Sequence, residues 1–184
     1  RIYVLCRRKL ILTLLFLLGT GVVLTITQHF VAAPSLVRDP GTYYMANIQE
    51  KVIALTFDDG PDPVDTPEVL DILRAKEERA TFFILGEAGQ LYTDLLKRLV
   101  NEGHEIGNHG YSHDYQQRRL VEELRKTDEI IFAATGYHTY FYRPPGGFLN
   151  KSQLETIKRN GHVVALWSVD SKDWRNPGIV TIKN

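Results

Sequence analysis

The segment "KVIALTFDDGPDPVDTPEVLDIL", Lys51 to Leu73, changes character twice. Lys51 to Phe57 is apolar and β-branched, the composition of a buried strand. Asp58 and Asp59 then stand side by side, and Gly60 and Pro61 stop the strand. Thr66, Pro67 and Glu68 open a helix that runs on through "VLDILRAK", with a hydroxyl to cap it and proline at its first position. The same strand, polar turn and helix recur down the chain. Further strands are expected at Ala80 to Leu85, His104 to Asn108, Thr139 to Arg143 and His162 to Val169. The helical patterns between them, "TDLLKRLVNEG", "RRLVEELRKTDEIIFAATG" and "SQLETIKRNG", each end in glycine, which suits the left-handed residue that closes a helix. This alternation predicts βαβ units and a parallel sheet.

Polar clusters follow four of the five strands. "DDGPDP" follows the first, "NHGYSH" (Asn108 to His113) the third, "RPPGG" (Arg143 to Gly147) the fourth and "DSKDW" (Asp170 to Trp174) the fifth. In a parallel α/β barrel the loops at the carboxyl ends of the strands share one face, where active sites lie. Four loops rich in Asp, His, Arg and Gly are therefore expected to meet.

His109 and His113 are four residues apart, a spacing that would put both imidazoles on one side of a helical turn. With a carboxylate delivered to the same face they would make a two-histidine, one-carboxylate metal site with open positions. The paired aspartates then divide the labour: one binds the metal, while the other stays free to take a proton from the attacking water. Arg143 supplies a cation that would keep a neighbouring carboxylate ionised. Asp62 and Asp65 read as turn or capping residues. His104 and His162 begin strands at the opposite end and read, with His29 and His138, as structural.

The chain has 184 residues, 43% hydrophobic and 24% charged, an ordinary globular composition with room for about one domain. Its zero net charge is unevenly spread. Arg1, Arg7, Arg8, Lys9 and Arg38 are the charged residues that precede Asp39, which leaves 17 basic against 22 acidic residues beyond them, a net of −5. Such a domain has no basic footprint for nucleic acid. Leu10 to Val37 contains no Lys, Arg, Asp or Glu, and its apolar core, Leu10 to Ile26, is 17 residues long. That length favours an uncleaved signal anchor over a cleaved signal peptide, with small residues at "VAAPS" keeping cleavage open. Either way the basic cluster stays inside and the rest is exported, so the domain is expected at the cell membrane, outside the cytoplasm, or secreted. Cys6 lies on the cytoplasmic side and reads as an inert thiol; any metal in the exported part must be held by His, Asp or Glu.

Taken together, "TFDDGPDP", "TPEVLDIL", "ATFFILG", "GHEIGNHGYSH", "YRPPGG" and "DSKDW" resemble the successive motifs of the polysaccharide deacetylases, carbohydrate esterase family 4, with its NodB-homology domain. The likeness runs from Lys51 to Asn184. It implies an irregular parallel (β/α) barrel of the TIM type and metal-dependent removal of acetyl groups from N-acetylglucosamine-type units in peptidoglycan, chitooligosaccharide or related glycans. Zinc is the implied metal, with cobalt, manganese or nickel as alternatives. The resemblance casts Asp58 as catalytic base and Asp59, His109 and His113 as metal ligands, with Arg143 orienting Asp58. The backbone N–H of Gly146, where many relatives carry an aromatic residue, would hold the oxyanion. Asp173 would tune the general acid, while Pro145 and Trp174 would line the substrate groove.

The implied organisation is a basic cytoplasmic region at 1–9, a signal anchor or signal peptide at 10–30, a linker at 31–50 and the deacetylase domain at 51–184. The family's general acid is a histidine in a later motif, and no histidine here occupies that place. The 146 residues from Asp39 onward also fall short of the roughly 250 of a closed barrel. The barrel is therefore expected to be incomplete at its C-terminal end, and the chain reads as a piece of a longer protein that is itself inactive if the acid is required. Two rival readings are a catalytically inactive glycan-binding domain and an iron oxygenase using the same two-histidine, one-carboxylate set.

Overall fold

The computed structural model describes residues 41–45, 49 and 51–175. The segment assigned to a membrane or signal helix, 10–30, lies outside the described residues. Among those described, no helix is long and apolar enough to cross a membrane.

Six strands form one parallel sheet: β1 (Thr42–Tyr43), β2 (Thr56–Gly60), β3 (Thr81–Ile84), β4 (Glu105–Asn108), β5 (Phe141–Tyr142) and β6 (Val163–Ala165). The order across the sheet is β1-β6-β5-β4-β3-β2. From β2 to β6 each strand lies beside its successor in sequence, the single winding of a barrel sheet, without the reversal found in doubly wound folds. Each intervening crossover carries helix: α1 (Asp65–Ala75), then α2 (Gly86–Leu91) and α3 (Thr93–Asn101), then α4 (Leu120–Thr135), and α5 (Lys151–Arg159).

β1 was not anticipated, since its residues fall in the predicted linker at 31–50. Thr42 and Tyr43 take places opposite Val164 and Ala165, using backbone groups that a two-residue strand does not announce through side-chain periodicity. The β6 strand is shorter than the predicted one. It stops at Ala165, and Trp167 turns out against Gly147, where a Cβ would lie 2.7 Å from the indole.

The main core packs the helices on the outside of β2, β3 and β4. Leu70 and Leu73 of α1 and Leu96 and Leu99 of α3, pairs three residues apart, meet Phe82, Ile84 and Ile106. The Phe57 and Phe82 rings stack at 5.1 Å. Full burial of one such leucine or phenylalanine contributes about 1.5–3 kcal/mol, so this layer fixes where β2, β3 and β4 end.

Helix termini follow the sequence with one exception. Gly103, Gly136 and Gly161 all adopt positive φ after α3, α4 and α5, and Asn150 and Gln153 form a reciprocal capping box on α5. Thr66, however, does not cap α1. The helix begins one residue earlier, Thr66 Oγ1 accepts the Asp62 N–H at 2.9 Å, and the Asp62 carboxylate accepts the N–H groups of Val64 and Asp65. Asp62 is thus the turn-forming residue it was read to be, and it does the capping work assigned to Thr66.

Candidate metal and catalytic site

The ends of β2, β4, β5 and β6 bring two charged groups together. Asp58 and Asp59 leave β2 in different directions because the ladder with β3 is interrupted between Phe57 and Gly60 and Asp59 takes φ +67°. Asp58 meets Arg143, which follows β5, and its Oδ1 accepts from Nη1 at 2.7 Å. Asp59 faces the other way, toward the two histidines.

Arg143 is buried and nearly every donor on its guanidinium is used. Nη1 also donates to Thr56 Oγ1 at 2.8 Å, Nε to Ala165 O at 3.0 Å, and Nη2 to Leu166 O at 3.1 Å. Its guanidinium carbon sits 3.9 Å from the centre of the Phe83 ring. Phe83 in turn lies across Gly107, where a Cβ would be 2.5 Å from two ring carbons, so a glycine in β4 makes room for the arginine's platform. Burial pulls the Arg143 guanidinium below its ordinary value, and the Asp58 carboxylate beside it opposes that pull.

His109 continues β4: its N–H bonds to Ile84 O, and its Nδ1 lies 2.7 Å from the Arg143 carbonyl. A carbonyl only accepts, so the proton of the ring is on Nδ1, and Nε2 presents a lone pair. That Nε2 is 3.2 Å from Asp59 Oδ1, and Nε2 of His113 is 3.3 Å from the same oxygen. The predicted helical turn between the histidines is absent. Gly110 at φ +82° and His113 at φ +57° fold the segment into a loop that brings the rings to 5.3 Å, so the four-residue spacing converges for a different reason from the one that suggested it.

The three donor atoms all lie within 4.8 Å of one another. A tetrahedral zinc with bonds of about 2.0–2.1 Å spaces neighbouring ligands about 3.3 Å apart, which the two observed separations match. Two imidazoles and one carboxylate are also the donor chemistry that zinc takes while leaving a position open.

The turn after Arg143 completes the face. Gly147 N–H bonds back to Pro144 O at 2.9 Å, Gly146 sits at φ +68°, and no hydrogen bond among the described residues uses the Gly146 N–H. Pro145 is buried beneath the turn. Tyr115, which the sequence reading did not single out, stands edge-on to His113 at 4.6 Å and lies 3.0 Å from where a Cβ on Gly146 would be. No contact among the described residues links Asp173 or Trp174 to the cluster. Asp173 accepts from Ser171 at 2.7 Å, and the Trp174 ring is covered by Arg175. Of the histidines read as structural, His29 lies outside the described residues and the other three are engaged elsewhere: His104 Nδ1 accepts the Ala80 N–H, His162 pairs with Asp128, and His138 stacks on Phe132.

A family model described as polysaccharide deacetylase matches residues 46–165. The chain belongs to the polysaccharide deacetylase family. Among its relatives is a peptidoglycan-N-acetylglucosamine deacetylase of Bacillus cereus, 43% identical over 140 residues, which cover 73% of this chain and 66% of that protein. Another is the peptidoglycan-N-acetylmuramic acid deacetylase PdaC of Bacillus subtilis, 43% identical over 72% of this chain and 29% of that one. The crystal structure of the Bc1960 peptidoglycan N-acetylglucosamine deacetylase superposes with a TM-score of 0.75 at 37% identity, covering 78% of this chain and 69% of the other. The chain thus spans from under a third to about two thirds of the lengths of these curated deacetylases.

Proposed function

We propose that this polysaccharide deacetylase domain hydrolyses the acetamide of N-acetylglucosamine-type units in a cell-wall or chitin-like polysaccharide. The observation that carries this reading is the separation of the two aspartates, one bound to a buried arginine and the other facing two imidazole nitrogens. Asp59, His109 and His113 are assigned as ligands of a divalent cation, zinc by donor chemistry. Such an ion, when bound, polarises the carbonyl and makes water a nucleophile at neutral pH.

Asp58 is assigned as the base that takes the proton of the attacking water. Arg143 holds its Oδ1 in one place, which is what a proton acceptor needs to be within reach in the transition state. The free N–H of Gly146 is aligned by the Pro144–Pro145 turn to donate to the oxyanion as the carbonyl carbon becomes tetrahedral. Pro145 and Trp174 are assigned to the sugar groove, and Asp173 to tuning the acid that protonates the leaving amine. None of His104, His138 and His162 is that acid, because each is engaged away from the site. Residues 10–30 are assigned to a signal anchor, or a cleaved signal peptide, that places the domain outside the cytoplasm.

The test separates the aspartates in the full-length protein. Asp59→Asn is expected to lose stoichiometric zinc, while Asp58→Asn keeps zinc and loses about 10²–10⁴ in turnover on N-acetylated glycans. Equal zinc loss in both, or near-normal turnover in Asp58→Asn, refutes the division.

A further inference from the structure

The segment that joins the two histidines has no regular structure of its own, yet it is held along its length by one face of α4. The Glu123 carboxylate is buried there. Its Oε2 accepts the N–H of Tyr111 at 3.1 Å and of Ser112 at 3.3 Å, and its Oε1 accepts the Ser112 hydroxyl at 2.6 Å. One turn later Thr127 Oγ1 donates to Gly110 O at 2.9 Å. Asn108 gives its amide to Leu124 O and to Asp128 Oδ1, both at 2.8 Å, and accepts the Gly110 N–H on its own Oδ1. Residues 108, 110, 111 and 112 are therefore all fixed from α4, while His113 beyond them adopts φ +57°.

Burying a carboxylate is costly unless its lone pairs are met. Glu123 meets that condition almost wholly with donors of this loop; among the described residues the cation paired with it is Arg119, 3.9 Å away. Its role is therefore not an ion pair. The hydrogen bonds fix a backbone that would otherwise have many conformations, and only a few of those point the His113 imidazole at Asp59.

We propose that Glu123 and Thr127 are positioning residues for cation capture, clamping the 110–112 backbone so that His113 arrives where His109 and Asp59 already point. This rests on the metal-dependent reading given above. The ligands stay the three residues named there; α4 sets how much of the binding free energy is spent on ordering them.

The test uses the intact protein and Zn2+ alone, titrated against a chelating dye. Glu123→Leu removes both acceptor oxygens and the three hydrogen bonds they take, and Thr127→Val removes one hydroxyl at nearly constant shape. Each is expected to weaken Zn2+ binding by about 10–100-fold, the range for residues that orient ligands. Glu123→Gln and Thr127→Ser, which keep an oxygen in place, are expected to recover most of it. Folded variants that bind Zn2+ as tightly as wild type overturn the proposal, as does a loss that the conservative variants fail to recover. If Glu123→Leu does not fold, the Thr127 pair decides alone. Amide exchange in metal-free protein keeps the two readings distinct. Faster exchange at Tyr111 and Ser112 in Glu123→Leu is expected even if wild type takes up no Zn2+, a result that would sink the metal assignment instead; unchanged exchange there overturns the clamp.

Discussion

Replacing Arg143 with lysine keeps the charge and removes the fork. In the native protein Nη1 serves Asp58 and Thr56 while Nε and Nη2 reach the other way, to the carbonyls of Ala165 and Leu166. An ammonium concentrates its three donors at one point, so it can hold Asp58 but cannot at the same time hold both carbonyls. Two buried hydrogen bonds from a charged donor are lost at about 1.5 kcal/mol each, about 3 kcal/mol in all. Loss of the guanidinium face over Phe83 adds about 1 kcal/mol. For a domain of this size each kcal/mol moves Tm by about 2–4 °C, so Arg143→Lys is expected to melt about 10 °C below wild type. Thermal melts and urea titrations with an unchanged m-value would measure the loss. A lysine variant that melts within about 2 °C of wild type would show that the bonds to Ala165 and Leu166 carry no net stability. Turnover in that variant should also fall, because Asp58 keeps a cation but loses its fixed orientation.

Other outcomes follow from single contacts. Gly107→Ala places a methyl 2.5 Å from the Phe83 ring, and should cost about 1–3 kcal/mol in denaturant titrations as the ring and Arg143 are pushed aside. Gly146→Ala combines a φ of +68° with a contact of 3.0 Å to Tyr115; a double-mutant cycle with Tyr115→Ala should show the Gly146 substitution costing less once the ring is gone, and strict additivity would disprove the contact. His104 is kept neutral by burial, so its folded-state pKa lies below the unfolded 6.5. Its contribution is complete above about pH 6.5 and declines as pH falls from there toward the lowered value, because the unfolded chain takes up the proton first. Stability against pH should therefore slope less below pH 6.5 in His104→Gln than in wild type. For the N-terminal assignment, a reporter joined after Pro40 should be active only outside the cytoplasm and remain with the membrane; a shortened soluble product would favour cleavage.

The sequence by itself determined the order of five of the six described strands and of every described α-helix but α2, the loops that carry chemistry and the residue types in them. Those features are local. Apolar runs bounded by "DDGP" or "RPPGG", and glycines placed to end helices at 103, 136 and 161, act within a few residues and read the same in any context. Short pairing was beyond its reach, as β1 shows: two residues carry no period, and only the open edge of β6 makes Thr42 and Tyr43 a strand. Which partner each of Asp58 and Asp59 faces was decided by the tertiary structure. Neighbours in sequence are chemically identical until a strand irregularity turns one toward an arginine 85 residues away and the other toward a histidine pair. The spacing of His109 and His113 pointed to a pair that the fold does bring together, but through a helical turn that does not form, because α4 offers the intervening backbone better partners than its own carbonyls do. Glu123, Thr127, Phe83 and Gly107 left no signal of their own, since a buried acid on an amphipathic helix and a glycine in a strand acquire meaning only from what the fold sets against them.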